Sequence, residues 1–506
     1  MKNQRKIGAV LSYVSIIASS LVQLLYTPIM VSKLGQSEYG LYSLAASIIG
    51  YLSVLDLGFG NAIIVYTSKY RAQGKDKAEA KLLGMFRLVF QVLGVIAGIA
   101  SLVMFFCVDI MFGATMTPTE VGKMKIMMLI LGVNVVMSFF LNIYWSIIRA
   151  YEKFLFLKAV SIIHTILQPL LMLPLLFLGA ESITMATVIS LVNIGCNLAY
   201  YIFCRKKIGI KIKYHGFDKK LFKTIFGYSF FIFLAVVVDK INWSVDRFIL
   251  GAVSGTIAVS IYSIAGTFNQ MFINLSNAIS DVLLPKISKM VATKATDKEL
   301  SDELIKVGRI QYLVIFLAMS GYVLFGREFI HAWVGQEYDE SYFVVLFLAI
   351  PLCLTLIQNL GISIMQAKNK HQFRAISTAI MSVINVIISI FLARAYGAIG
   401  AAMGTAFSLI VINIFAFNVY YKKAIHLDIG RFWLNILRMT IPFALPILAI
   451  LGFMHFVELR GYLSVLVYGG IYIVLYSATA YFLSMNQYEK DVIHSVFRKL
   501  KLHRRA

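Results

Sequence analysis

Four ionisable residues stand inside one apolar run. The stretch TIFGYSFFIFLAVVVDKINWSVDRFIL, residues 224–250, carries Asp239, Lys240, Asp246 and Arg247. A charge at the centre of a membrane helix costs about 2.5–3.5 kcal/mol on insertion scales, so this helix must face protein or water. Asp239, Asn242, Trp243 and Asp246 share one helical face, and Lys240 and Arg247 lie seven apart on the adjoining one. Such a face suits a cavity that takes a polar or charged ligand. Its plain alternative is an ion-pair network between helices. Asp239 and Lys240 lie near mid-depth, whereas Asp246 and Arg247 are close enough to one end to snorkel.

Weaker polar stripes accompany it. Gln270, Asn274, Asn277 and Asp281 fall at 0, +4, +7 and +11, and Ser12, Ser15, Ser19, Gln23 and Tyr26 form a similar line. They fit a hydrated cavity or, equally, hydrogen bonds between helices. Asp56, in LDLGFG, is either a cavity carboxylate or part of a local helix break. Asp281, Arg149 and His164 sit toward one membrane face, and His164 reads as a packed histidine rather than a proton relay.

These residues need helices to position them, and composition supplies the helices. The chain of 506 residues is 59% hydrophobic and 14% charged, far from a soluble domain. Apolar runs of membrane-crossing length mark fourteen spans, at 8–31, 40–66, 88–111, 124–148, 159–178, 182–203, 224–250, 258–284, 310–326, 342–364, 375–393, 401–421, 436–456 and 463–484. Of the 47 Lys and Arg, 39 fall on one side of this arrangement, 6 on the other and 2 within span 7. The positive-inside rule then places both termini on the cytoplasmic side of the membrane. The net charge of +23 reflects that topology and contact with anionic lipids, not nucleic acid.

A pattern returns after 220 positions. LYSLAA at 41–46 answers IYSIAG at 261–266, and Gly35, Lys69, Ala72 and Glu79 answer Gly255, Lys289, Ala292 and Glu299. Spans 1–6 and 7–12 are thus parallel repeats. The fold class is an all-α polytopic membrane protein with two six-helix bundles and two extra C-terminal helices. Its expected parts are the bundle 1–203, a basic linker 204–223, the bundle 224–421, helices 13 and 14 within 422–484, and a basic amphipathic tail 485–506. Two short surface helices are expected, one after a capping box at Thr296 and Glu299, the other at 489–505.

Other classes find no support in the motifs. Cys107, Cys196, Cys204 and Cys353 are scattered and form neither a disulfide frame nor a metal site. The N-terminal apolar run reads as a retained helix rather than a signal peptide. No Walker lysine, H-E-x-x-H or G-x-S-x-G occurs, and the longest loop on the sparsely charged side, 327–341, is small for a membrane glycosyltransferase. No metal or cofactor is expected.

KLGQSEYGLYSL, LDLGFGNA and SKYRAQGK resemble the bacterial polysaccharide flippases of the multidrug/oligosaccharidyl-lipid/polysaccharide exporter superfamily. The resemblance implies a V-shaped cavity between two bundles that opens to each side in turn. It implies a glycan joined by pyrophosphate to undecaprenyl lipid as substrate, and no enzymatic step. In that reading Lys240 and Arg247 hold the pyrophosphate. Asn242, Trp243, Gln270, Asn274, Asn277, Gln23 and Tyr26 line the glycan cavity. Asp56, Asp239 and Asp246 couple H⁺ or Na⁺, and the lipid tail lies in a groove near spans 13 and 14. Partners are the lipid-linked oligosaccharide, anionic lipids and a polysaccharide polymerase complex, with the protein a monomer. One departure is Ile64-Val65-Tyr66, where many relatives carry a basic residue. The alternatives are a cation-coupled drug exporter of the same fold and a non-transporting scaffold.

Overall fold

A computed structural model describes the chain from Lys2 to His494, apart from residues 211, 213, 215, 281–283, 369, 371 and 458–460. The side chains of residues 2–17, 228, 231, 232, 234, 235, 238, 239, 241–243, 278, 284, 285 and 288 also lie outside the described set. All regular structure among the described residues is helical. Eleven stretches are long and apolar enough to cross a membrane. Two of them hold two spans each. Ala18–Ala72 is interrupted at Gly35, and Gln372–Lys423 at Tyr396 and Gly397. The helix Lys219–Val253 supplies span 7. The count of about fourteen spans follows.

The duplication is written in the backbone. Gly35 and Gly255, 220 positions apart, both adopt positive φ, 78° and 81°. Gly74 and Lys294, at the same separation, adopt 64° and 58°. Lysine enters this left-handed region at a cost of about 1–2 kcal/mol, which the turn between helices imposes.

The described chain forms two compact units, Met1–Ser263 with Val386–Ala401, and Ile264–Asn385 with Ala402–Ala506. In the first, Phe59, Phe86, Phe222 and Phe226 cluster with Phe59 5.3–6.2 Å from the others, joining spans 2 and 3 to the start of span 7. In lipid, helices associate through close packing and hydrogen bonds rather than the hydrophobic effect. Gly40 and Gly251 serve that purpose: a Cβ on either would strike Thr256 or Leu44.

The second unit is built on the helix Asp297–Val334. The capping box of Thr296 and Glu299 is present, but it opens this 38-residue helix rather than a separate surface helix. No proline interrupts the run, so the turn on the side of the basic loops continues directly into span 9, which extends beyond 310–326 at both ends. Within it, Arg309 forms a buried bidentate pair with Glu489, 2.6 and 3.0 Å, and donates to the Ser484 carbonyl at 3.0 Å. Glu489 also caps a helix at 487–494 through Asn486. The rest of the expected tail helix, 495–506, lies outside the described residues.

Candidate functional site

Span 7 starts at Asp218, whose carboxylate accepts from the Leu221 N–H at 3.0 Å and pairs with Lys81 at 3.0 Å. Its far end brings Asp246 and Arg247 among side chains of spans 2 and 8. Asp246 is buried, and the Tyr262 hydroxyl donates to it. Arg247 donates from Nη1 to Ser47 Oγ at 3.3 Å, and Ser47 passes its own hydrogen to the Ser43 carbonyl at 2.8 Å. Tyr39 and Tyr51 lie within electrostatic reach of the guanidinium. The Nε–H of Arg247 is buried and meets no acceptor among the described residues. Leaving such a donor unsatisfied costs about 1–3 kcal/mol or more. The neighbouring charges of span 7 therefore engage different helices.

Lys240 is half-buried, and no described residue pairs with it. Asp239, Asn242 and Trp243 lie on the described helix, but their side chains are outside the described set. Asp281 is outside it altogether.

Asp56 ends a short 3₁₀ turn, Ser53–Asp56, in the middle of span 2. Leu57 (φ 52°) and Gly58 (φ 72°) then break the helix, which restarts as Phe59–Ala72. The Asp56 carboxylate accepts from Asn142 Nδ2 at 3.1 Å and from the Gly60 N–H. A negative group beside the first N–H groups of a helix is favourable. Asp56 thus holds together a broken helix and span 4.

The span 8 stripe divides. Gln270 donates to Asn274 at 2.9 Å along the helix, while Asn277 accepts from Asn359 of span 10 at 3.2 Å. In span 1, Gln23 is half-buried and Tyr26 is buried, its hydroxyl without a hydrogen-bond partner among the described residues. His164 pairs with Asn193 of span 6 at 2.8 Å, as a packed histidine does.

Several polar residues escaped the sequence reading. Asn134, Ser138, Asn142 and Ser146 recur every fourth residue on span 4; Asn142 reaches Asp56 and Ser138 accepts from Asn197 at 3.3 Å. That spacing was visible. Gln311, fully buried, donates to Ser280 at 2.6 Å and Ser276 at 3.2 Å, and nothing local signals it. In the second unit a cavity of about 340 Å³ is lined by Tyr312, Phe316, Met319, Val323, Ile350 and Ile447. Its hydroxyls face away: Tyr312 bonds Thr440 at 2.6 Å and Ser320 bonds Tyr472 at 2.7 Å.

The fold among the described residues is that of a multi-span helical membrane protein that places polar and charged side chains inside its spans. Among solved structures, the lipid II flippase MurJ in an inward closed conformation matches with a TM-score of 0.72 at 20% identity, over 96% of this chain and 99% of that one. An inward-facing multidrug resistance MATE family transporter of the MOP superfamily matches at 0.65 and 16% identity, over 80% of this chain and 96% of that one. A Shigella flexneri protein whose name describes an O-antigen transporter is 23% identical over 389 residues, 75% of this chain and 88% of the relative. The profile of the polysaccharide biosynthesis protein family matches residues 7–291. The chain belongs to that family.

Proposed function

We propose that this protein carries undecaprenyl-pyrophosphate-linked oligosaccharide from the cytoplasmic to the outer leaflet of a bacterial cytoplasmic membrane, by alternating access between its two repeat bundles. Both termini then lie in the cytoplasm, on the side of the 39 basic residues. The observation that carries the reading is Arg247, a half-buried cation whose buried Nε–H meets no acceptor among the described residues, beside Ser47, Tyr39 and Tyr51. A phosphate oxygen supplies the missing acceptor, and charge-assisted bonds of this kind are about twice as strong as neutral ones. Lys240 offers the second cation. Asn274, Gln270, Asn277, Gln23 and Tyr26, with Asn242 and Trp243, supply the groups that a glycan needs. The apolar cavity between spans 9, 10 and 13 suits the lipid tail, since it presents no free polar group.

Ion coupling falls to Asp239, Asp246 or Asp56. The two N–H donors on Asp56 favour a structural duty there and leave the coupling to span 7. Export of cationic drugs is the weaker reading, because Arg247 and Lys240 repel a cation.

The test is reconstituted transport in proteoliposomes. A fluorescent undecaprenyl-pyrophosphate oligosaccharide is followed by leaflet accessibility, with and without H⁺ and Na⁺ gradients. Arg247→Ala lowers flipping at least tenfold at normal membrane levels, and Lys240→Ala/Arg247→Ala abolishes it. Full activity in the double variant sinks the pyrophosphate role. Extrusion of a cationic dye with no movement of lipid-linked sugar favours the exporter.

A further inference from the structure

Span 6 ends in an unusual way. The helix Ser182–Phe203 runs into a π-helical turn, Cys204–Ile208, which Gly209 stops at φ 74°. A π turn takes in one extra residue, and such turns gather at functional sites. This one carries CRKKI, the first basic run of the linker. It is tied to span 4, because the buried Cys204 thiol donates to the Tyr144 carbonyl at 3.5 Å. Arg205 is held in place as well. Its Nη1 donates to the Tyr201 hydroxyl at 2.8 Å, with the guanidinium 5.7 Å from the centre of that ring. Tyr201 in turn meets the buried Tyr144 edge-on at 4.9 Å. Spans 3 and 6 both pack on span 4. Arg87, on the helix Asp76–Phe112 that supplies span 3, and Arg205 both lie within electrostatic reach of the Tyr144 hydroxyl.

Arg87, Arg205, Lys206 and Lys207 are exposed, and none has a carboxylate partner among the described residues. Elsewhere in this unit Lys81, Lys123 and Lys125 each have one, at 2.5–3.0 Å. Cations gathered in this way repel one another until an anion comes among them. Deeper in the same spans, Leu88 and Val92 of span 3 and Leu198 and Ile202 of span 6 are exposed. Leu198 and Ile202 stand seven and three residues before Arg205, on its face of the helix. A ligand that fits both levels is anionic at one end and hydrocarbon at the other.

The geometry points to a binding site for the phosphate headgroup of an anionic membrane phospholipid, formed by Arg87, Arg205, Tyr144 and Tyr201 over the end of span 4 on the side of the basic loops. The two guanidinium forks match phosphate oxygens in a way that an ammonium does not. Lys206 and Lys207 add positive potential, which favours an anionic headgroup over one that carries an amine. The acyl chains lie along the exposed leucines, Val92 and Ile202. The site goes beyond the transport reading and uses none of the residues assigned there to substrate or coupling ion.

Native mass spectrometry of the detergent-solubilised full chain, titrated with phosphatidylglycerol or phosphatidylcholine, resolves bound lipids one at a time. The first phosphatidylglycerol binds the wild type at least about fivefold more tightly than phosphatidylcholine. Arg87→Ala/Arg205→Ala removes that preference. Lys219→Ala/Lys220→Ala, the same loss of charge further along the chain, leaves it within about twofold. An unchanged preference in the arginine variant overturns the site. Equal loss in both variants means diffuse attraction to a basic surface and overturns it too. Millimolar inorganic phosphate leaves the lipid bound; displacement by it assigns the site to a soluble phosphate and overturns the lipid. Arg87→Lys/Arg205→Lys keeps the charge and loses the forks, so it weakens binding several-fold and carries the test where the alanine variant fails to reach the membrane. A preference equal to the wild type's in that variant overturns the paired forks. No lipid-linked sugar enters these measurements, so failure of the flippase reading leaves the site standing.

Discussion

The hairpin of spans 1 and 2 and that of spans 7 and 8 descend from one pattern, yet they have been put to different uses. Their backbones agree at Gly35 and Gly255, where both turns enter positive φ. Their side chains diverge at the positions that matter. Glu38 answers Ala258, Gly40 answers Ser260, and Asp56 answers Ser276. The first hairpin carries carboxylates at its turn and at its central break. The second carries neutral groups at both places, and its Tyr262 instead serves Asp246. Duplication fixes where helices turn, and substitution afterwards decides which copy holds charge.

The largest expected effect comes from filling Gly40. Gly40→Ala puts a Cβ 1.9 Å from a backbone oxygen, and backbone cannot swing aside as a side chain does. Overpacking of this kind costs about 1–3 kcal/mol and occasionally more. The thermal midpoint of the solubilised protein drops by several degrees. Gly50→Ala, with nothing within 4 Å of the new Cβ, is the matched control and gains up to about 1 kcal/mol of helix propensity. Equal midpoints for the two variants remove the close approach from the argument.

A middle-sized effect separates Asp56 from Ser276. Asp56→Ala strands Asn142 Nδ2 and the Gly60 N–H, a loss of about 2 kcal/mol. Ser276→Ala costs about 1 kcal/mol or less, because Gln311 keeps its 2.6 Å bond to Ser280. Asp56→Asn retains an acceptor oxygen and loses the charge. Flipping by Asp56→Asn keeps its dependence on the H⁺ or Na⁺ gradient if Asp56 only braces the break. A flattened dependence returns Asp56 to the coupling groups.

How much of this was legible follows from the kind of signal involved. Span number, the repeat and the charge asymmetry are long-range averages of hydropathy and of Lys and Arg, so the sequence carries them openly. The helix break at Asp56 was half legible, because DLGFG pairs a glycine with a helix start but does not name the partner on span 4. The ion pairs of Lys123 with Glu38 and, at 2.7 Å, with Glu181, between turns opposite the basic loops, were not legible. Glu120, Lys123 and Glu181 read as ordinary loop charges until folding brings turns from distant parts of the chain together. Thr296 misled because a capping box marks where a helix begins and says nothing about where it ends. Arg309 and Glu489, 180 positions apart, form a buried pair in the second unit without any local pattern between them.

The smallest effect is a difference of sign between Glu79 and Glu299, which occupy one repeat position in the short basic turns after spans 2 and 8. Glu79 is buried and accepts from the Tyr151 hydroxyl at 2.8 Å, with Arg71 stacked on the same ring at 3.5 Å. Burial raises its carboxyl above the usual range, and the Tyr151 bond and the Arg71 charge offset only part of that. Glu299 is exposed, and the Thr296 N–H and hydroxyl hold it below that range. A raised acid favours the folded state below its unfolded pKa, and that contribution is lost as pH climbs through the folded value. A depressed acid contributes above its unfolded pKa, and loses that contribution as pH falls. Glu79→Gln therefore gains on the wild type as pH rises from about 4 to about 7, whereas Glu299→Gln falls behind over the same range. Thermal midpoints of the three proteins across that interval measure both slopes. Parallel slopes for the two variants would mean that equivalent positions have kept equivalent electrostatics, against the divergence that the two hairpins display.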